Sequence, residues 1–190
     1  LGTVVFADGA EPALGAPDSA NPWRHSFAAL LAAEPMPAMP AVEPGDPAAI
    51  FFTSGSTGPA KGVTHTRETL RWMIASAAAA FELSAEDVFL PGSSMSHIGS
   101  FLWALSTLSV GGRVVVARTI DSHELLPLLR EQRPTVLAMI PAALSALIHD
   151  HDLRPHDFDS LRICQAGADK VSTELLTEFF RYVEPEIEQF

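Results

Sequence analysis

Thr53-Ser54-Gly55-Ser56-Thr57-Gly58-Pro59-Ala60-Lys61-Gly62-Val63 decides the reading of this chain. The stretch follows an apolar run, Ala48 to Phe52, that reads as a buried strand, and it precedes an amphipathic helix. Glycines let a backbone approach an anion closely and aim successive N–H groups at it. The hydroxyls of Thr53, Ser54, Ser56 and Thr57 add donors, and Lys61 adds a mobile positive charge. This composition suits the wrapping of a polyphosphate. A flexible Ser/Gly linker shares the composition, but a linker does not lie hard against a buried strand and end in Lys-Gly-Val before a helix.

Bulk properties narrow the field. The chain has 190 residues and a formal net charge of −11, which argues against nucleic acid or an anionic membrane surface as a partner, since both require a basic face. An anionic ligand must therefore be held locally. Lys61 and Lys170 are the only lysines, so Lys61 stands out. The single Cys164, placed mid-strand, excludes an internal disulfide and reads as a buried thiol rather than a nucleophile. No apolar run approaches the roughly 18 residues of a membrane-spanning helix and no signal peptide is visible, so the expected location is cytoplasmic.

Residues 1–47 hold eight of the fifteen prolines and read as loops and edge structure of a preceding subdomain, with one short helical stretch at Phe27 to Ala33. Residues 48–183 read as an α/β core carrying the Ser/Gly loop, and 184–190 as a truncated tail. In the core, strands at Ala49 to Thr53, Val88 to Leu90, Arg113 to Ala117, Thr135 to Met139 and Arg162 to Ala166 alternate with helices, and a last helix follows Ser172. The rhythm predicts a largely parallel α/β sheet with right-handed crossovers. Leu70, Met73, Ile74, Ala77, Ala78 and Phe81 line one face of the first core helix, with Thr66 as its N-cap and Glu68 in its first turn. Asp121 and Glu124 have the spacing of a capping box for a helix that Pro127 should distort.

The loop nearly fits the nucleoside-triphosphatase pattern G-x-x-x-x-G-K-[ST], but Ala60 replaces the second glycine and Gly62 the hydroxyl that would hold Mg²⁺. It resembles, at every position except Ala60, the phosphate signature T-S-G-[ST]-T-G-x-P-K-G-V of the adenylate-forming (AMP-binding) enzymes: acyl- and aryl-CoA synthetases, luciferases and the adenylation domains of peptide synthetases. Further blocks follow in that family's order. Leu90-Pro91 with Met95-Ser96-His97-Ile98-Gly99, Gly111 to Val116, Pro134 to Leu137 with Ile140-Pro141, and Leu161-Arg162 through Gly167-Ala168 each resemble a family block, so that the resemblance spans residues 26 to 183.

The resemblance implies a fragment of a large N-terminal domain. It implies that Thr53, Ser54, Gly55, Ser56, Thr57, Gly58 and Lys61 hold ATP phosphates bridged by Mg²⁺, that His97 lies at the acyl pocket as wall or gate, and that Gly167 and Ala168 form a turn beside the nucleotide. The catalytic lysine, the Mg²⁺-holding glutamate and the ribose-gripping aspartate of the family are expected outside this chain, leaving the catalytic residue unknown here and the fragment alone inactive. The implied activity is acid–thiol ligation: a small carboxylic acid, fatty or aryl, is activated by ATP to acyl-AMP and passed to CoA. His97 replaces the aspartate with which peptide-synthetase domains pair an amino group, which favours a plain acid. Two other readings stay open, a domain that loads a carrier protein and a non-catalytic ATP-binding or scaffold remnant.

Other constellations weigh less. His149-Asp150-His151-Asp152 with His156-Asp157 offers nitrogen and oxygen ligands but reads as a solvated connection, and no metal site is assigned there. His97 could equally be a hydrogen-bonded structural histidine. His65 and Arg67 either add charge near the phosphates or begin the helix. The closing apolar stripe, Leu175, Leu176, Phe179, Phe180 and Val183, is expected to lie bare in the fragment and to drive self-association.

Overall fold

A computed structural model of the chain describes residues 4–6, 24–26, 31–34, 38, 41–53, 55, 58–154 and 156–183. Chain contacts divide it between Val42 and Glu43. In the first unit, β1 (Val4–Phe6) and β2 (Arg24–Ser26) pair in parallel, Val4 opposite Arg24 and Phe6 opposite Ser26. Most of the stretch Phe27 to Ala33, where a helix is expected, and the tail 184–190 lie outside the described residues.

The second unit carries β3 (Pro47–Phe52), β4 (Gly62–Thr66), α1 (Arg67–Ala80), β5 (Val88–Gly92), α2 (Ile98–Ser109), β6 (Arg113–Val114), α3 (Ser122–Gln132), β7 (Val136–Met139), α4 (Pro141–Ile148), β8 (Ile163–Ala166) and α5 (Thr173–Phe179). The strands β6-β5-β7-β8 form a parallel four-stranded sheet, as the alternation of strands and helices predicts. Consecutive residues of a strand point to opposite faces. Leu90, Leu137, Met139 and Cys164 therefore join Leu125, Leu129, Leu144, Leu147, Phe158 and Phe179 in one core, and Phe89, Val136, Ala138 and Ile163 meet Leu83, Trp103 and Ala104 in the other. Strands covered on both faces by crossover helices carry continuous apolar runs, and Val136–Met139 is buried throughout. Burial pushes the Cys164 thiol up to about 12, so it packs as a hydrophobe.

Several sequence expectations are corrected. The run before the Ser/Gly loop is not a buried strand of the parallel sheet: β3 pairs antiparallel with β4, a strand not expected between the loop and the Thr66 cap. Among the described residues β3 pairs with β4 alone, and its Ile50 and Phe52 are 55% and 72% exposed. β6 is shorter than expected, because it pairs only with Val88 and Phe89. The capping box does not form. Asp121 makes no side-chain cap bond, since Glu124 is drawn instead into a forked pair with Arg118 at 2.9 and 3.2 Å. The same helix runs unbroken through Pro127. Thr66 and Ser172 do cap α1 and α5, accepting from the N–H groups of Thr69 and Leu175.

The closing helix is not the bare stripe expected. Leu175 and Phe179 enter the main core, where Phe179 meets Phe158 edge-on at 5.2 Å. Phe52, Trp72 and Val116 are more exposed than any apolar residue of that stripe. Below the sheet, at the amino ends of its strands, buried Asp87 joins the half-buried Thr135 and Arg162 in a polar staple across β5, β7 and β8.

Candidate functional site

The Ser/Gly loop closes the β3–β4 hairpin. Its two ends are clasped by Thr53, whose N–H donates to the Lys61 carbonyl at 3.0 Å and whose hydroxyl accepts from the Lys61 N–H at 3.1 Å. Inside the clasp the Gly58 N–H donates to the Gly55 carbonyl at 3.0 Å. Gly55 has φ of +68°, and a Cβ there would stand 2.7 Å from the Gly58 carbonyl oxygen, so only glycine fits the turn. The clasp holds the lysine's backbone while its side chain stays exposed. Ser54, Ser56 and Thr57 lie outside the described residues.

An aromatic contact joins the hairpin to α2, the helix that lies over the sheet. The Phe51 ring meets Phe101 of α2 edge-on at 5.3 Å, and its other neighbour is His65 at 5.9 Å. His65 thus packs on the hairpin. Arg67 begins α1 and lies at the far end of β4 from the loop, about 16 Å away at the usual strand rise. Its backbone N–H donates to the Asp46 carbonyl at 3.0 Å. This settles the alternative for Arg67 in favour of the helix start.

Open parallel sheets bind ligands beyond the carboxyl ends of their strands, at the point where strand order reverses. Here the chain passes from β5 to β6 on one side and then to β7 and β8 on the other, so the reversal falls between β5 and β7. A cavity of about 100 Å³ opens there, lined by Ser93, Gly99, Ser100, Trp103, Ala138 to Ile140, Gln165, Gly167 and Ala168. Gly92 lets β5 and β7 converge beneath it, since a Cβ at Gly92 would lie 2.2 Å from the Met139 Cβ. Ser93 and Ser100 join their hydroxyls across the opening. The N–H of Gly167 donates to the Met139 carbonyl at 3.1 Å, and Ala168 follows at φ +68°.

Gly167 and Ala168 therefore line the cavity. His97 does not: it is exposed, occupies the N-cap of α2 without a side-chain cap bond, and precedes the lining residue Gly99 by two positions. Sequence reasoning missed Trp103 and Gln165, which the fold brings together across 62 positions of chain. The acidic and histidine cluster lies elsewhere. Asp150, His151 and Asp152 share an exposed turn in which Asp150 accepts from the Ser122 hydroxyl, and buried Asp157 is taken by a forked pair with Arg130 at 2.9 and 2.8 Å.

The chain is 30% identical over 158 residues to the medium/long-chain-fatty-acid–CoA ligase FadD8 of Mycobacterium tuberculosis, an overlap of 83% of this chain and 28% of that protein. Indoleacetate–CoA ligase of Aromatoleum aromaticum is 30% identical over 159 residues, covering 82% and 31%. In fold, the ATP-bound MatB structure from Rhodopseudomonas palustris matches with a TM-score of 0.74 at 22% identity, over 85% of this chain and 32% of that one. The chain thus spans less than a third of the length of the two curated relatives. The AMP-binding enzyme family matches over residues 3–190, taking in the hairpin loop, the parallel sheet and the cavity at its reversal, and the chain belongs to that family.

Proposed function

We propose that this chain supplies the ATP-phosphate loop and part of the acid pocket of an AMP-forming acid–thiol ligase. The observation that carries the reading is the placement of the clasped Thr53–Lys61 turn and the switch-point cavity on the two sides of one contact, Phe51 to Phe101. In the reaction a carboxylate oxygen attacks the α-phosphorus of ATP, the bond from that phosphorus to the bridging oxygen breaks, and pyrophosphate leaves. The thiolate of CoA then attacks the carbonyl carbon and AMP leaves. Two anions must approach each other, so the protein's share is alignment and charge neutralisation. Thr53, Gly55, Gly58 and Lys61 hold the β and γ phosphates, with Ser54, Ser56 and Thr57 completing the loop. Gly167 and Ala168, which line the cavity, turn beside the nucleotide, and His97, exposed at the N-cap of α2 outside the lining, is assigned to the rim of the acid pocket as its gate.

Mg²⁺ takes oxygen ligands, usually one or two carboxylates besides phosphates and water. The loop has no carboxylate, and the Thr53 hydroxyl is already engaged by the Lys61 N–H. The glutamate that would hold Mg²⁺ is expected outside this chain, so no step is assigned to the ion. CoA is favoured as acceptor because both curated relatives above are named CoA ligases.

Acid-dependent exchange of labelled pyrophosphate into ATP tests the reading, measured on the full-length protein with a panel of fatty and aryl acids. Exchange that requires one class of acid is expected. Absence of exchange with every acid, while ATP still binds, would favour the non-catalytic remnant. A subsequent choice between CoA and a phosphopantetheinylated carrier identifies the thiol.

A further inference from the structure

Trp103 is 6% exposed and forms the inner wall of the switch-point cavity. Three neighbours fix it. Its ring is 4.2 Å from Phe81 and stacks on Phe89 at 5.9 Å, and its Nε1–H donates to Gln165 Oε1 at 2.7 Å. An indole N–H can only donate, so the Gln165 amide must turn its oxygen toward Trp103. The amide nitrogen is thereby turned away from the indole, toward Gly167, where a Cβ would stand 3.3 Å from Nε2. Both Gln165 and Gly167 line the cavity. Among the described residues no acceptor takes the two N–H bonds of this nitrogen, and it is not sealed from solvent.

No other side chain of the lining supplies an equivalent donor. Ser93 and Ser100 bond to each other, and Ser100 also reaches the Ser93 carbonyl at 3.2 Å. Trp103, Ala138, Met139 and Ile140 are apolar across the rest of the wall. A small, largely apolar cavity with one pre-oriented side-chain donor selects for a ligand that places an acceptor against that donor, because a ligand lacking it leaves the amide unpaired.

We infer that Gln165, held by Trp103, is a specificity-determining residue that donates to an oxygen on the acyl part of the substrate, so that the site takes compact acids bearing a hydroxyl or carbonyl oxygen in preference to the matching hydrocarbon acids. This rests on the acid-activating reading above. No bond forms or breaks at Gln165, which selects by binding alone.

The test compares matched acids, pentanoate with oxopentanoate and benzoate with hydroxybenzoate, in pyrophosphate exchange by the full-length protein. The wild type is expected to favour the oxygen-bearing member of at least one pair by about tenfold in kcat/KM, the scale of one hydrogen bond that selects a ligand. Gln165→Leu should erase that preference, through KM of the oxygen-bearing acid more than through kcat. Trp103→Phe keeps an aromatic wall but frees the amide to rotate, and should reduce the preference part-way. A preference that survives in both variants would overturn the inference while leaving acid activation intact, as would a wild type that favours the hydrocarbon member of every pair. If the wild type exchanges with no acid at all, the acid-activating reading fails and this inference fails with it.

Discussion

Replacing Lys61 with alanine in the full-length protein will lower acid-dependent pyrophosphate exchange by about 30- to 1,000-fold, about 2–4 kcal/mol of transition-state stabilisation, the scale of losing one electrostatic donor at a site of developing charge. The chain carries a net charge of −11 and only one other lysine, Lys170, so the loop's cation has no nearby substitute in the motif. The Lys61 backbone is fixed from both sides by Thr53, through its N–H and its hydroxyl. The alanine variant should therefore keep the hairpin, and the loss should fall mainly on kcat. Lys61→Arg restores the charge with a different reach and should recover part of the rate. Exchange unaffected by Lys61→Ala would remove the residue from the site.

The second large effect concerns the fold rather than the chemistry. Asp87 is 2% exposed. It accepts from Arg162 Nε and Nη2 at 2.9 and 2.8 Å, from the Thr135 hydroxyl at 2.7 Å and from the Ser84 N–H at 2.7 Å. Burial alone would push its carboxyl up, but the Arg162 fork and these further donors outweigh burial and hold it at about 2. Asp87→Ala removes the acceptor common to β5, β7 and β8, a loss of about 3 kcal/mol, the low end for breaking a buried pair because the Arg162 side chain is 28% exposed and keeps its bonds to the Phe81 and Glu82 carbonyls. The midpoint of urea unfolding should fall accordingly, without a change in slope.

The sign of the pH effect follows from the same carboxylate. Its folded value lies below the ordinary 3.8, so its stabilisation is complete above about pH 4 and is lost as pH falls toward about 2. Between those values the wild type should lose roughly 2 kcal/mol that Asp87→Ala does not lose. Parallel acid-unfolding curves for the two proteins would show that Asp87 does not act as a charged staple.

The parallel sheet was legible because its strands are covered on both faces and so read as unbroken apolar runs, as at Val136–Met139. The hairpin was misread for the opposite reason. Ala48 to Phe52 has the composition of a core strand, yet half of it faces outward, and burial is a property of what packs on a strand rather than of the strand itself. A local signal for β4 did exist in the β-branched residues Val63, Thr64 and Thr66 of Gly62–Thr66, which the Thr66 cap and the following apolar stripe overshadowed. Site residues divide in the same way. Thr53, Gly55, Gly58 and Lys61 are contiguous and can be found as a motif, whereas Trp103 and Gln165 meet only through the order of the strands.

The central claim is that the acid's own oxygen attacks the α-phosphorus of ATP, and heavy-oxygen labelling of the carboxylate tests it most directly. The full-length protein, given labelled acid, ATP and the thiol, should return one labelled oxygen in AMP for each thioester formed, with pyrophosphate unlabelled. Label in inorganic phosphate with ADP as the nucleotide product, or AMP that carries none, would contradict it.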